Sequence, residues 1–484
     1  MIKTLTKIKQ KNRSLCKKKK ICPADAETGR PHATHRQEQS DAAGPAGSRT
    51  GLILTFRRPV SLKGRLKTKN ARKNKEQKMA VRLTEKSPSE LLSIDGVQVY
   101  VGQAGVKKAD RDDLTLIVLN SQNTVGAVFT QNRFCAAPVY IAKSHLFDED
   151  GVRALVINTG NANAGTGAQG RADAVEVCEA AARQVGCKPS QILPFSTGVI
   201  LEPLPVQKII GALPNVKPVH WSDAARAIMT TDTVSKAASR EGKVGEKHTV
   251  RATGIAKGSG MIHPNMATML AFIATDAKVS QPVLQLLTQE IADATFNTIT
   301  VDGDTSTNDS FVIMATGKCG QMEIDNTADP RYGQLKELLG SIALELAQAI
   351  VRDGEGAGKF ITIRVERAAD REEARKVAYA VARSPLVKTA FSAGDPNLGR
   401  LLATIGYAGI ADLDVDRIRM WLGDVLVAEH GGRAESYTEE QGQAVMDEDE
   451  ITVRIDLQRG KAEATVYTCD LTHEYISINA DYRS

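Results

Sequence analysis

The 484-residue sequence contains no run of about 18 or more apolar residues, the length a helix needs to cross a bilayer, and the apolar stretch from Gly51 to Phe56 is too short. No membrane span is expected. Its seven cysteines, Cys16, Cys22, Cys135, Cys178, Cys187, Cys319 and Cys469, are odd in number, widely spread and without a C-x-x-C pair. That spacing argues against a disulfide framework and a zinc site, and a reducing cytoplasm is the expected setting. Two ligand-binding patterns are approached and missed. Gly354-Glu355-Gly356-Ala357-Gly358-Lys359 has Asp353 where a P-loop needs glycine and Phe360 where it needs Ser or Thr. The segment from Asp302 to Asp309 has Thr307 where a calcium loop needs glycine, and Ile313 where it needs its bidentate glutamate. A metal is expected at neither, and no cofactor is expected.

What is present is a globular composition: 42% of the side chains are hydrophobic, enough for one large or two to three ordinary domains. The formal charge of +6 hides an asymmetry. Residues 1–78 hold 22 Lys+Arg against 5 Asp+Glu, leaving 63 − 22 = 41 basic and 57 − 5 = 52 acidic residues in the remainder. The extension is therefore near +17 and the body near −11. With its Lys17–Lys20 run, a second basic cluster from Lys63 to Lys78 and little apolar periodicity, the extension is expected to be disordered. Three readings remain open for it: a nucleic-acid-binding arm, an organelle-targeting peptide, or upstream sequence from a start assigned too early. A lysine-rich, aromatic-poor run without a recognition module favours the last, with Met79-Ala80-Val81 as the natural start. The negative body weakens any nucleic-acid reading.

From Gly96 onwards short strands are expected at Val97–Val101, Leu114–Leu119, Val125–Phe129 and Ala154–Ile157. An Asn/Gly-rich loop from Gly160 to Gly170 leads into a helix over Asp173–Val185 with Ala174, Val175, Cys178, Ala181 and Ala182 on one face. Met269–Ala274 reads as a buried strand, Gln281–Ala294 and Gln334–Val351 as helices, Ile361–Glu366 as a strand and Arg371–Arg383 as a helix. Ile451–Leu457 and Ala464–Asp470 read as a hairpin around Gln458–Lys461. Strands and helices without regular βαβ alternation predict an α+β layered fold.

The most informative stretch runs Lys257-Gly-Ser-Gly-Met-Ile-His263-Pro-Asn265-Met-Ala267-Thr268-Met-Leu-Ala-Phe-Ile-Ala-Thr-Asp276. Cutting the Ala267–Thr268 bond would make Thr268 a chain terminus. A terminal threonine carries its hydroxyl nucleophile beside an α-amine with a pKa of about 7.7–8.0, which can act as general base near neutrality. Taken alone, the same run is equally an apolar strand after a Gly/Pro turn. Five further segments accompany it: Phe195-Ser-Thr197-Gly198-Val-Ile, Met229-Thr-Thr231-Asp-Thr233, Val301-Asp-Gly-Asp-Thr-Ser-Thr-Asn-Asp309, Asp353-Gly-Glu355-Gly356, and Glu474-Tyr-Ile-Ser-Ile-Asn479-Ala-Asp-Tyr-Arg-Ser484.

Together, over residues 79–484, these resemble the ornithine acetyltransferase family, the ArgJ-type glutamate N-acetyltransferases of arginine biosynthesis. The resemblance implies a layered αββα sandwich that cleaves itself at Ala267–Thr268 into an alpha chain, residues 79–267, and a beta chain, residues 268–484, which assemble as α2β2. It implies Thr268 as nucleophile, Thr197 and Gly198 as oxyanion hole, and Thr231, Lys257, Thr268, Glu355, Asn479 and Ser484 as substrate-binding residues. The implied reaction moves acetyl from N2-acetylornithine to L-glutamate through acetyl-threonine, with acetyl-CoA as a possible second donor. An N-terminal-nucleophile aminopeptidase of the same fold is the rival enzyme, and the Lys257 and Glu355 charges favour amino-acid substrates over peptides.

Overall fold

The computed structural model describes residues 80–263 and 269–481. The expected disordered extension, residues 1–78, therefore lies outside the described residues, as do Ala267, Thr268 and Ser484.

Two five-stranded sheets form the centre. In the first the order is Ile192–Val199, Ala154–Asn161, Leu114–Leu119, Val97–Gly102, Lys217–Pro218; in the second it is Thr124–Phe129, Ser310–Ala315, Leu270–Thr275, His248–Lys257, Lys236–Val244. Period-two alternation explains how they stack. Val99, Val101, Ile117, Leu119, Leu155 and Ile157 of the first sheet share a buried cluster with Leu270, Phe272, Ala274, Val312 and Met314 of the second. On the outer face of the first sheet, Leu114, Leu116, Ala154 and Val156 are buried with Val177, Cys178 and Ala181 of helix Gly167–Val185 and Ile209 of helix Val206–Ala212. On the outer face of the second, Ala271, Ile273, Phe311 and Ile313 meet helices Gln281–Ala294 and Pro330–Arg352. The layers run helix, sheet, sheet, helix, the αββα sandwich that the family resemblance implied. Leu270–Thr275 is buried along its whole length because it is an interior strand covered on both faces, which is why it reads as an unbroken apolar run.

A third, six-stranded sheet has the order Gly432–Arg433, Val425–Glu429, Arg419–Leu422, Glu450–Asp456, Phe360–Ala368, Ala462–Cys469. It corrects the expected C-terminal hairpin. Glu450–Asp456 and Ala462–Cys469 do not pair with each other; Phe360–Ala368 lies between them, parallel to the first and antiparallel to the second. Ile361, Ile363 and Val365 are fully buried, so this strand takes the central place. The connection crosses its end instead of turning tightly: Gln458 has φ 54°, and the N–H groups of Arg459 and Gly460 both donate to the Arg367 carbonyl at 2.7 and 2.8 Å.

Most remaining expectations hold, with Gln281–Ala294 and Arg371–Arg383 matching their helices end to end. The hairpin of Lys236–Val244 with His248–Lys257 was not anticipated, because its outer strand mixes buried and exposed polar residues. Helix Pro330–Arg352 begins four residues earlier than the apolar periodicity indicated, where Asp329 accepts the Arg331 N–H at 2.9 Å and Pro330 occupies the first turn.

At the C-terminal end of that helix sits a fully buried ion network. The Lys236 ammonium, with 0% side-chain exposure, lies 2.6 Å from both Asp232 and Asp353. Burial opposes the charge on Lys236, but the two carboxylates overcome it and raise its pKa. Burial likewise pushes Asp232 upward, and Lys236, Lys257 and the Gly258 N–H reverse that and hold it below its usual value. Removing one partner from a buried pair costs about 3–5 kcal/mol, since a buried charge is left uncompensated. Lys236→Met should accordingly lower the urea midpoint strongly; an unchanged midpoint would show that the network does not support the fold.

Candidate active site

The strand carrying Thr197 and Gly198 runs parallel to Ala154–Asn161, and the register slips between Gly160 and Asn161. Bulges of this kind commonly redirect a backbone at active sites. Gly198 has φ 135°, and a Cβ there would stand 2.2 Å from the Gly160 carbonyl carbon and 2.5 Å from the Asn161 nitrogen. Only glycine fits against that backbone. The bend is braced by Asn308, whose Nδ2 donates to the Ala162 carbonyl at 2.6 Å and the Ser196 carbonyl at 2.9 Å.

Lys257, at the end of its strand, donates through Nζ to Thr197 Oγ1 at 3.2 Å. The hydroxyl proton of Thr197 is thus left to donate elsewhere. Burial lowers the Lys257 pKa, an effect that Asp232, Asp309 and Glu355 counter. Asp309 is buried too, and burial raises its pKa well above the usual carboxylate range, with Ser306 and Lys257 opposing. Its Oδ2 has no hydrogen-bond partner among the described residues.

Glu355 lies just beyond helix Pro330–Arg352, and its N–H donates to the Ser259 carbonyl at 2.8 Å. Its carboxylate accepts from Asn479 Nδ2 at 2.7 Å. It rests against Gly260, where an added Cβ would fall 2.3–2.4 Å from the carboxyl atoms. Burial raises the Glu355 pKa, while hydrogen bonds from Thr231 and Asn479 lower it. Thr231 also shares a 2.7 Å hydrogen bond with Ser259 through their hydroxyls.

Asn479 arrives on helix His473–Ala480, which has no buried residue and is held by polar contacts. Thr472 at its start donates to the Gly356 carbonyl at 2.7 Å, and the Tyr475 hydroxyl reaches Asp302 at 3.3 Å. Gly356 must lack a side chain, because a Cβ would lie 2.6 Å from the Tyr475 nitrogen. The Asp302 carboxylate accepts from the Met261 and Ile262 N–H groups at 2.6 and 2.9 Å, a structural use of the segment that had suggested a calcium loop.

Thr197, Gly198, Thr231, Lys257, Glu355 and Asn479, spread over nearly 300 positions of sequence, line one cavity of about 220 Å3. Ser306, Thr307 and Asn308, which belong to a quoted motif but carried no expected site role, complete the wall. Ser259, Asp232, Lys236 and Asp353 were likewise given no site role. Asp232 and Asp353 sit inside quoted motifs, whereas Lys236 lies outside them, four positions after Asp232 and 117 before Asp353.

Ala267 and Thr268 are outside the described residues, but the chain is anchored on both sides. Before them, the Thr305 hydroxyl donates to the His263 carbonyl at 3.1 Å; after them, the Met269 carbonyl accepts the Ser310 N–H at 2.8 Å. Leu270, two positions after Thr268, pairs across the sheet with Lys257 on one side and Ser310 on the other.

A sequence model described as the ArgJ family matches residues 98–484. A protein called "Arginine biosynthesis bifunctional protein ArgJ" from Neisseria meningitidis serogroup A / serotype 4A (strain DSM 15465 / Z2491) is 79% identical over 406 residues, 84% of this chain and 100% of that protein. One of the same name from Neisseria gonorrhoeae (strain ATCC 700825 / FA 1090) is 78% identical over 406 residues, again 84% of this chain and 100% of its own length. Among solved structures, an arginine biosynthesis bifunctional protein from Bacillus halodurans is 36% identical, covering 42% of this chain and 95% of that one with a TM-score of 0.41.

The raised pKa of Glu355 fixes the sign of a stability effect. A carboxyl that holds its proton more tightly folded than unfolded weakens the fold as pH rises, and the penalty is complete above the folded pKa. Glu355→Gln should therefore raise the melting temperature at pH 7, with the gain shrinking as pH falls toward the ordinary carboxylate range. A gain that grows on acidification would contradict this assignment.

Proposed function

The chain belongs to the ArgJ family, and we propose that it transfers the acetyl group of N2-acetylornithine to L-glutamate, giving ornithine and N-acetylglutamate in arginine biosynthesis. The name "bifunctional" carried by its Neisseria relatives supports acetyl-CoA as a second donor for the same acceptor. The observation that carries the reading is the convergence of six sequence-identified residues on one cavity, one of which, Lys257, pairs across the sheet with Leu270, two positions after Thr268.

The Thr268 hydroxyl first attacks the carbonyl of Ala267, the acyl group shifts from nitrogen to oxygen, and water hydrolyses the ester. This frees the Thr268 amine and leaves chains ending at residue 267 and beginning at residue 268. In turnover the amine takes the hydroxyl proton as Thr268 attacks the acetyl carbonyl of the donor. The Thr197 hydroxyl and the Gly198 N–H stabilise the developing oxyanion, with Lys257 orienting Thr197 through their 3.2 Å contact. Ornithine departs with the proton as the acetyl-threonine ester forms. The α-amine of glutamate then attacks that ester and regenerates the enzyme.

Donor and acceptor each carry an α-amino-acid core, so a cavity lined by a cation, Lys257, and an anion, Glu355, suits both. Thr231, Asn479 and Ser484 supply further polar contacts to substrate, and helix His473–Ala480 covers the site so that acetyl-threonine meets glutamate before water. No cofactor is required, and the processed alpha and beta chains assemble as α2β2. No described helix is long and apolar enough to cross a membrane; a cytoplasmic location is part of this proposal.

Initial rates with both substrates varied should give the parallel double-reciprocal lines of a ping-pong reaction. Thr197→Ala should lower turnover about a hundredfold, the scale of losing one oxyanion donor. Intersecting lines, or an unchanged rate in the variant, would remove the acetyl-threonine route as written.

A further inference from the structure

A second cavity of about 220 Å3 adjoins the first and shares Gly198, Val199, Thr230 and Thr231 with it. Its outer lining is basic, from Lys107, Lys108 and Arg111. Those cations sit on a loop fixed at several points. Asp113 accepts the N–H groups of Ala104 and Val106 at 2.7 and 2.6 Å, and Arg111 donates to the Met229 carbonyl at 2.5 Å. Gly160 lets the loop approach, since a Cβ there would lie 3.0 Å from that of Lys107. Among the described residues Asp113 and Asp481 are the anions on the same lining, and the Asp113 carboxylate is engaged by the loop's own backbone.

Resting on the acetyl-transfer reading, we propose that this basic lobe binds the distal anionic group of a substrate whose reacting end lies in the first cavity. The two amino acids of that reaction occupy one site in turn, yet their side chains end in opposite charges. Beside Glu355, the ornithine ammonium is stabilised and the glutamate side-chain carboxylate is repelled. A lobe reached past Gly198 and Thr231 and lined by three cations gives an anion a separate place. The same chemistry would also accept the phosphates of acetyl-CoA, so the occupant is either the glutamate carboxylate or those phosphates.

The test is steady-state kinetics of wild type, Lys107→Ala/Lys108→Ala and Lys107→Arg/Lys108→Arg with each donor. In the alanine variant, KM for the substrate carrying the bound anion should rise about fivefold or more, the scale of one to two partly exposed ion pairs. Saturated turnover and KM for N2-acetylornithine should stay within twofold, and the arginine variant should keep wild-type values. A rise for glutamate with both donors identifies the carboxylate; a rise for acetyl-CoA alone identifies the phosphates. Unchanged KM for both, or equal losses in the arginine variant, would overturn the lobe. Wild type that transfers acetyl from neither donor would instead overturn the functional reading beneath it.

Discussion

Three of the six sequence-identified residues that line the site are hung from one buried charge. Lys236 sits at zero exposure between Asp232 and Asp353, and each carboxylate uses its remaining lone pairs on the backbone around the cavity. Asp232 accepts from the N–H groups of Thr230 and Gly258, and Asp353 from Thr233 and Val234. Thr231 is the neighbour of Asp232, Lys257 the neighbour of Gly258, and Glu355 lies two positions beyond Asp353. Three cavity-lining side chains from a loop, a strand end and a helix end thus share one electrostatic anchor. A hydrophobic cluster in its place could hold the elements together, but it could not fix the hydrogen-bond directions of three backbone segments at once.

The glycines set the clearances around that anchor. Gly198 permits the bulged strand to press on Gly160, Gly260 leaves room for the Glu355 carboxylate, and Gly356 admits the start of the C-terminal helix. In each case a methyl group would meet backbone or a functional carboxyl within 2.6 Å. The site is therefore built as much by side chains that are absent as by those that converge, and its charges, Lys257 against Glu355, sit in a cavity with little freedom to rearrange.

Much of this was legible from sequence wherever chemistry is local. Thr197-Gly198, Thr231, Lys257, Glu355 and Asn479 lie in short distinctive segments, and all six residues line the one cavity. The sandwich was legible in outline because interior strands such as Leu270–Thr275 are continuous apolar runs. What local patterns could not convey was pairing at a distance. Lys236 and Asp353 meet across 117 positions, and Glu450–Asp456 and Ala462–Cys469 look like a hairpin until Phe360–Ala368, about 90 positions earlier, is found between them. The basic lobe escaped notice for a related reason: Lys107, Lys108 and Arg111 look like an ordinary solvated charge run until the fold sets them beside Gly198 and Thr231.

The proposed chemistry requires Thr268 to be a chain terminus, because an internal threonine has no amine to serve as base. Intact mass under denaturing conditions, for the wild type beside Thr268→Ala, tests this most directly. The wild type should give a fragment beginning at Thr268, with 484 − 267 = 217 residues, together with its upstream partner ending at Ala267, and the variant a single uncut chain. A well-folded wild type that remains one uncut chain would contradict it.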